Sequence, residues 1–205
     1  MNMRSGLLKP LSLALLLIVS ACARPAPPDL RATLTRAQID AFEQPLILVE
    51  LPQLGSSATL IPVARNGDVQ TWSTADGVGL SYERGLPVAT RGLGVDLMGA
   101  DVTGSLAALN SGGGTTAYYP RFHSHLDGAQ QIRYLSFQCQ ITGRRAETIT
   151  LIGQRHAVQR IDETCHLPDA RVENSYWRGI DGTLWRTKQW LSEDAGYLIT
   201  ERLRK

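Results

Sequence analysis

The sequence predicts a mainly β protein: an antiparallel meander forming a curved sheet or half-open barrel, with a short N-terminal helix. Two observations carry this reading. Short apolar runs recur between turn signals such as Asn66-Gly67-Asp68, Asp76-Gly77, Arg84-Gly85 and Asp181-Gly182, at the spacing of roughly eight to twelve residues that marks chained hairpins. The links between these runs are too short to hold the crossover helices that a parallel sheet requires.

The elements follow in order. Thr35 with Gln38 three residues on matches a capping box, and Leu34 and Ile39 occupy the two staple positions, so a helix is expected from Arg36 to Phe42, stopped by Pro45. Leu46 to Leu51 and Ala58 to Ala64 are the first strands, and Val69 to Ser73, Val78 to Tyr82 and Leu86 to Thr90 continue the meander. Gly92 to Gly114 breaks the pattern. Rich in glycine and carrying Asp96 and Asp101, it reads as a long irregular excursion with one helical turn at Leu106 to Leu109. Strands resume at Gln131 to Ile141, where the alternate set Leu135, Phe137, Cys139 and Ile141 is the apolar one and places Cys139 inward. Thr148 to Ile152 and Ala157 to Ile161 carry the chain to Cys165. The last hairpin runs from Ser175 to Ile180 and from Thr183 to Leu191, and a final strand spans Tyr197 to Leu203.

Ahead of this domain, Arg4 and Lys9 precede the apolar run Leu11 to Val19, and Ser20-Ala21-Cys22 closes it. This is the form of a bacterial lipoprotein signal, cleaved before a cysteine that is then acylated. Nine residues are too few for a membrane span, which needs about 20. The expected organisation is a signal peptide over 1–21, a lipidated, proline-rich tether over 22–33 and one β-rich domain over 34–205. The chain has 21 Lys and Arg against 19 Asp and Glu, and Arg4 and Lys9 leave with the signal, so the remainder is charge-balanced. Nucleic-acid binding therefore has no electrostatic support, and membrane attachment falls to the lipid on Cys22.

With Cys22 acylated, Cys139 and Cys165 remain as a pair in a compartment where disulfides persist, and a bridge between them is expected. It would close a loop of about 25 residues and contribute about 3 kcal/mol in the loop-entropy account. Two free buried thiols and a reactive cysteine are the alternatives, the latter without a CxxC motif behind it.

Chemistry-bearing patterns are sparse. His123 and His125 stand two apart, with His156 or His166 as a distant third, short of the three or four ligands of a zinc site, so no metal is expected. Asp96 and Asp101 are paired carboxylates of the kind glycosidases use, although acids in such a loop usually act as caps. No nucleophile elbow, zinc-protease motif or phosphate-binding loop occurs, and no cofactor is implied. The aromatic residues Trp72, Trp177, Trp185 and Trp190 are candidates for saccharide or partner contact, since sugar rings stack on exposed aromatic faces, while core packing is the competing use.

Several stretches resemble one family: Ala64 to Trp72 (ARNGDVQTW), Asp76-Gly77-Val78, Leu86 to Asp101 (LPVATRGLGVDLMGAD), the Cys139 and Cys165 region, Tyr176-Trp177, and Trp185 to Trp190 (WRTKQW). Together they are similar to the YjbF/GfcB lipoproteins associated with exopolysaccharide and capsule production in Gram-negative bacteria. The resemblance implies an outer-membrane, periplasm-facing lipoprotein that assists polymer export through contact with the polymer or its machinery, with no catalytic residues. Ala23 after the acylated cysteine fits release to the outer membrane. A periplasmic polysaccharide hydrolase using Asp96 or Asp101, and a lipid-carrier module with a deep apolar cavity, are the rival expectations.

Overall fold

The computed structural model describes residues 29–112, 117–126 and 131–205; the expected signal, Cys22 and the tether as far as Pro28 lie outside them. Two short helices, α1 (Leu30–Thr33) and α2 (Arg36–Ala41), lead into β1 (Leu46–Leu51), β2 (Ser56–Asn66), β3 (Val69–Ser73), β4 (Gly79–Glu83) and β5 (Leu86–Arg91). Then come β6 (Leu97–Asp101), α3 (Thr103–Asn110), β7 (Tyr119–Leu126), β8 (Ile132–Leu151), β9 (Gln154–His166), β10 (Arg171–Arg178), β11 (Leu184–Ser192) and β12 (Gly196–Arg204). The twelve strands form one antiparallel sheet in which every pair of sequence neighbours except β5 and β6 is hydrogen-bonded, and β12 returns to pair with β1. The sheet is thereby nearly closed as a barrel, and its two free edges are β5 and β6.

The free edges meet through side chains instead of a ladder. Thr90 Oγ1 on β5 accepts from the Leu97 amide at 2.8 Å, and Arg91 Nη1 donates to the Leu97 carbonyl at 3.2 Å. Between them Asp96 accepts from Thr90 Oγ1 (2.8 Å) and from the amides of Gly92 (3.0 Å) and Leu93 (3.2 Å). The distinctive stretch VATRGLGVDLM is this seam, and its side chains engage the Leu97 amide and carbonyl at the start of the β6 edge.

Turn chemistry sets the register elsewhere. Arg84 and Gly85, at φ 48° and 94°, form a two-residue turn with both residues left-handed, the type that matches strand twist. The predicted α2 helix is present with its reciprocal Thr35–Gln38 capping box. The excursion expected over 92–114 is instead partly ordered, holding β6 and α3. Asp101 Oδ1 caps the amide of Thr103 at 3.0 Å, and Arg144 Nη2 donates to the Ala108 carbonyl at 2.7 Å near the helix end, where a cation complements the helix dipole. Gly104 lets α3 lie flat on β7, since a Cβ there would meet the Pro120 carbonyl at 2.6 Å. The two strands expected at 131–141 and 148–152 are one, because the register slip at Ile141/Gly143 is a bulge and not a turn.

Core packing lies on both sides of β1. Ile47, Val49 and Leu51 face into the barrel with Leu60, Trp72, Leu80 and Leu198. Leu46 and Leu48 face outward and are covered by Ile39 of α2, by Ile149, Leu151 and Val158 from the far ends of β8 and β9, and by Trp177 and Leu203. Asp29 to Thr33, expected as the end of the tether, is docked on this outer layer: Arg31 bonds Glu50 at 2.5 Å and Glu201 at 2.7 Å, and Arg186 reaches the same buried Glu201 at 2.5 Å.

Candidate functional site

Strand alternation turns Tyr119, Arg121 and His123 of β7 into the barrel to meet Glu163 of β9, Asn174 and Tyr176 of β10 and Gln189 of β11. The Glu163 carboxylate, wholly buried, accepts from Ser105 Oγ (2.7 Å), Tyr119 Oη (2.8 Å), Asn174 Nδ2 (2.7 Å), Tyr176 Oη (2.8 Å) and Arg121 Nη1 (3.5 Å). Arg121, also buried, donates further to His123 Nε2 (3.1 Å), Tyr176 Oη (3.2 Å) and Gln189 Oε1 (3.3 Å). His123 Nδ1 lies 3.3 Å from the Leu191 carbonyl, so the ring donates there and accepts from Arg121. That pattern is the neutral tautomer, and burial, then the nearby Arg121 charge, holds this imidazole well below its ordinary range. Burial, then the Glu163 charge, pushes the Tyr176 phenol well up, so it stays a donor. The result is one neutralised ion pair with its bonding capacity filled.

Two cavities flank this belt. The first, about 260 Å³, lies where the β2–β3 and β4–β5 turns meet β11 and β12, with Gln70, Trp72, Tyr82, Thr187, Thr200 and Arg202 in its wall and Arg65, Asp68 and Arg84 also lining it. Tyr82 Oη shares a hydrogen bond of 2.8 Å with Thr200 Oγ1, and burial raises its phenol. Arg202 lies over the Trp72 ring at 5.6 Å, and burial lowers its guanidinium. The second cavity, about 950 Å³, is lined by Asp96, His125, Tyr134 and Trp190 together with the 167–172 and 192–194 segments.

The residues singled out in the sequence separate. Trp72 is in the first cavity and Trp190 in the second, beside His123 and Phe137. Trp177 is 7% exposed on the outer layer, between the guanidinium groups of Arg160 (5.0 Å) and Arg186 (5.5 Å), and Trp185 stacks on His156 at 3.8 Å. The four therefore form no common platform. Cys139 and Cys165 are bonded to each other across directly paired positions of β8 and β9 inside the barrel. Their sulfurs lie near Glu163, but with the thiols joined and the carboxylate saturated this trio is not a ligand set. His123 and His125 do share a face, 5.9 Å apart, while His156 and His166 contact Trp185 and Tyr118 elsewhere. Asp96 and Asp101 are both caps, and the amide of Thr103 holds Asp101 below the usual carboxylate range.

Sequence reading missed Arg121, Glu163, Thr187 and Arg202. The signal that finds two of them is parity: if Cys165 faces inward, so does Glu163 two residues earlier, and a charge on an inward position needs a partner.

A family model described as group 4 capsule polysaccharide lipoprotein gfcB, YjbF, matches residues 17–203. Among solved structures, the crystal structure of the hypothetical lipoprotein YmcC from Escherichia coli (K12) superposes with a TM-score of 0.73 at 16% identity, covering 84% of this chain and 89% of that one. At that identity the likeness speaks for the fold alone. No curated protein matches the chain.

Proposed function

This chain belongs to the YjbF family of group 4 capsule polysaccharide lipoproteins, and from that premise we propose that it is a non-enzymatic accessory of exopolysaccharide or capsule export, anchored by lipid on Cys22 at the periplasmic face of the outer membrane. The observation that carries the reading is the extent of the match. It begins at residue 17, ahead of Cys22, and runs to residue 203 in the last strand, so the matched span takes in Cys22 as well as the barrel, which supports reading the two together.

The geometry favours a contact role over turnover. The two carboxylates that a hydrolase would use, Asp96 and Asp101, hold backbone amides, and Glu163 is filled by five donors. A lipid carrier needs an apolar interior, whereas the middle of this barrel is occupied by Arg121, Glu163 and their partners. The experiment is gene deletion with measurement of surface polysaccharide, followed by complementation with the native gene or with Cys22→Ala. Deletion should lower surface polymer, the native gene should restore it, and the unacylated variant should not. Unchanged polymer in the deletion strain overturns the role, and full restoration by Cys22→Ala overturns the need for the anchor.

A further inference from the structure

We propose that the first cavity, the one walled by Trp72, Thr187 and Arg202, binds one acidic sugar residue of the polymer, its carboxylate on Arg202 and a neighbouring oxygen on Thr187. The inference deepens the polysaccharide reading above and rests on it for the source of the ligand.

The first observation is a charge without a counter-charge. Other arginines have acids or acceptors: Arg121 on Glu163, Arg31 and Arg186 on Glu201, Arg84 on Asp68 and Glu83, Arg65 on the Gln70 amide oxygen. Arg202, half-buried, has the Trp72 ring and no carboxylate among the described residues. A guanidinium partly withdrawn from water and left unpaired is costly, and a ligand carboxylate removes that cost with two parallel hydrogen bonds.

The second observation is independent of charge. Thr187 is 3% exposed, and its buried hydroxyl has no partner among the described residues. A buried polar atom without a partner marks a place for an absent one. Thr187 sits opposite Thr200 in the β11–β12 register, and Thr200 is two positions from Arg202 on the same face of β12, so Thr187 and Arg202 are both residues of one cavity wall.

Size and lining select the ligand. About 260 Å³ lies just under the usual span of roughly 300–1,000 Å³ for small-molecule sites, room for one ring. Trp72 and Tyr82 supply the small apolar part of the wall, and Gln70 and Asp68, which already accept from Arg65 and Arg84, are the acceptors at its rim for a hydroxyl. The hydroxyl acceptors beside the Arg202 guanidinium select a hydroxyl-bearing carboxylate over a bare anion such as acetate or phosphate.

The test uses the full-length lipidated protein in detergent micelles, titrated calorimetrically with glucuronic acid and with an oligogalacturonide, against glucose, acetate and inorganic phosphate. The uronates should bind and the three controls should not. Arg202→Gln should weaken uronate binding about tenfold or more and Thr187→Val about threefold, as expected for a charged and a neutral hydrogen bond. Both variants should keep the native melting temperature, and Thr187→Val serves as the near-isosteric check if Arg202→Gln fails to fold. Absence of uronate binding, equal binding of acetate or phosphate, or retention of affinity in Thr187→Val and a folded Arg202→Gln each overturns the site. A binding failure beside a deletion strain that loses surface polymer removes this site alone; binding beside an unchanged deletion strain removes the export role and keeps the site.

Discussion

Arg121 and Arg202 both point into the barrel, from β7 and β12, and the fold treats them oppositely. Arg121 is 1% exposed and meets a carboxylate, an imidazole, a phenol and an amide oxygen; Arg202 meets one indole face. The first belongs to a closed network that fixes how β7, β9, β10 and β11 sit together. The second stands at a cavity wall with no hydrogen-bond acceptor or carboxylate on its donors among the described residues. Burial of a charge does not by itself reveal its purpose; whether the chain supplies the neutralising group does.

Breaking the closed side should have the largest effect. Glu163→Gln leaves Arg121 buried without its counter-charge and should cost about 3–5 kcal/mol, read from the urea midpoint. A loss under about 1 kcal/mol would mean that water or rearrangement replaces the carboxylate and that the two arginines are less different than their contacts show. Removing the bridge beside Glu163 by Cys139→Ala with Cys165→Ala should cost about 3 kcal/mol by the same measurement. No loss there would place the rigidity of this end in the polar network alone.

Next comes pH. Burial and Arg121 hold His123 well below its ordinary value of 6.5, so the unfolded chain takes up the proton first. Stability from this group is therefore full above about 6.5 and declines as the pH falls below it. His125 and His156 are lowered by burial as well and add slopes of the same sign. In His123→Gln the decline in urea midpoint between about pH 7 and pH 5 should be shallower than in the parent; an equal slope would show that His123 is not held neutral. The smallest effect is expected on the open side: without ligand, Arg202→Gln should change stability by no more than about 0.5 kcal/mol, since it removes no ion pair. A large loss would assign Arg202 to the framework.

Legibility in the sequence followed the same division. Gly67 and Arg84-Gly85 announced their hairpins because a two-residue turn is a local matter, Asp181-Gly182 marked a hairpin whose connection is the longer Gly179–Thr183 segment, and the Thr35–Gln38 box announced α2. Strand β7 escaped because its alternation is inverted. Tyr119, Arg121, His123 and His125 face inward while Phe122 and Leu126 are exposed, so a search for apolar inward positions reads the wrong face. Strand β6 is five residues with a glycine in the middle, and α3 starts at Val102 without a side-chain cap of its own. Their order comes from Asp96, Asp101, Arg144 and Pro120, contacts distant enough that no window of sequence contains them all. Of the site, Trp72 was visible by type; Thr187 and Arg202 meet only when the last two strands pair.

That β1 finds its second partner in β12 has a consequence for the order of events during synthesis. The strand made first waits for the strand made last, and the ring cannot shut until the whole chain has been delivered. Through that interval the outer edge of β1 is an open template, and a chaperone or a second nascent copy can occupy it before the chain's own last strand arrives with the advantage of its tether.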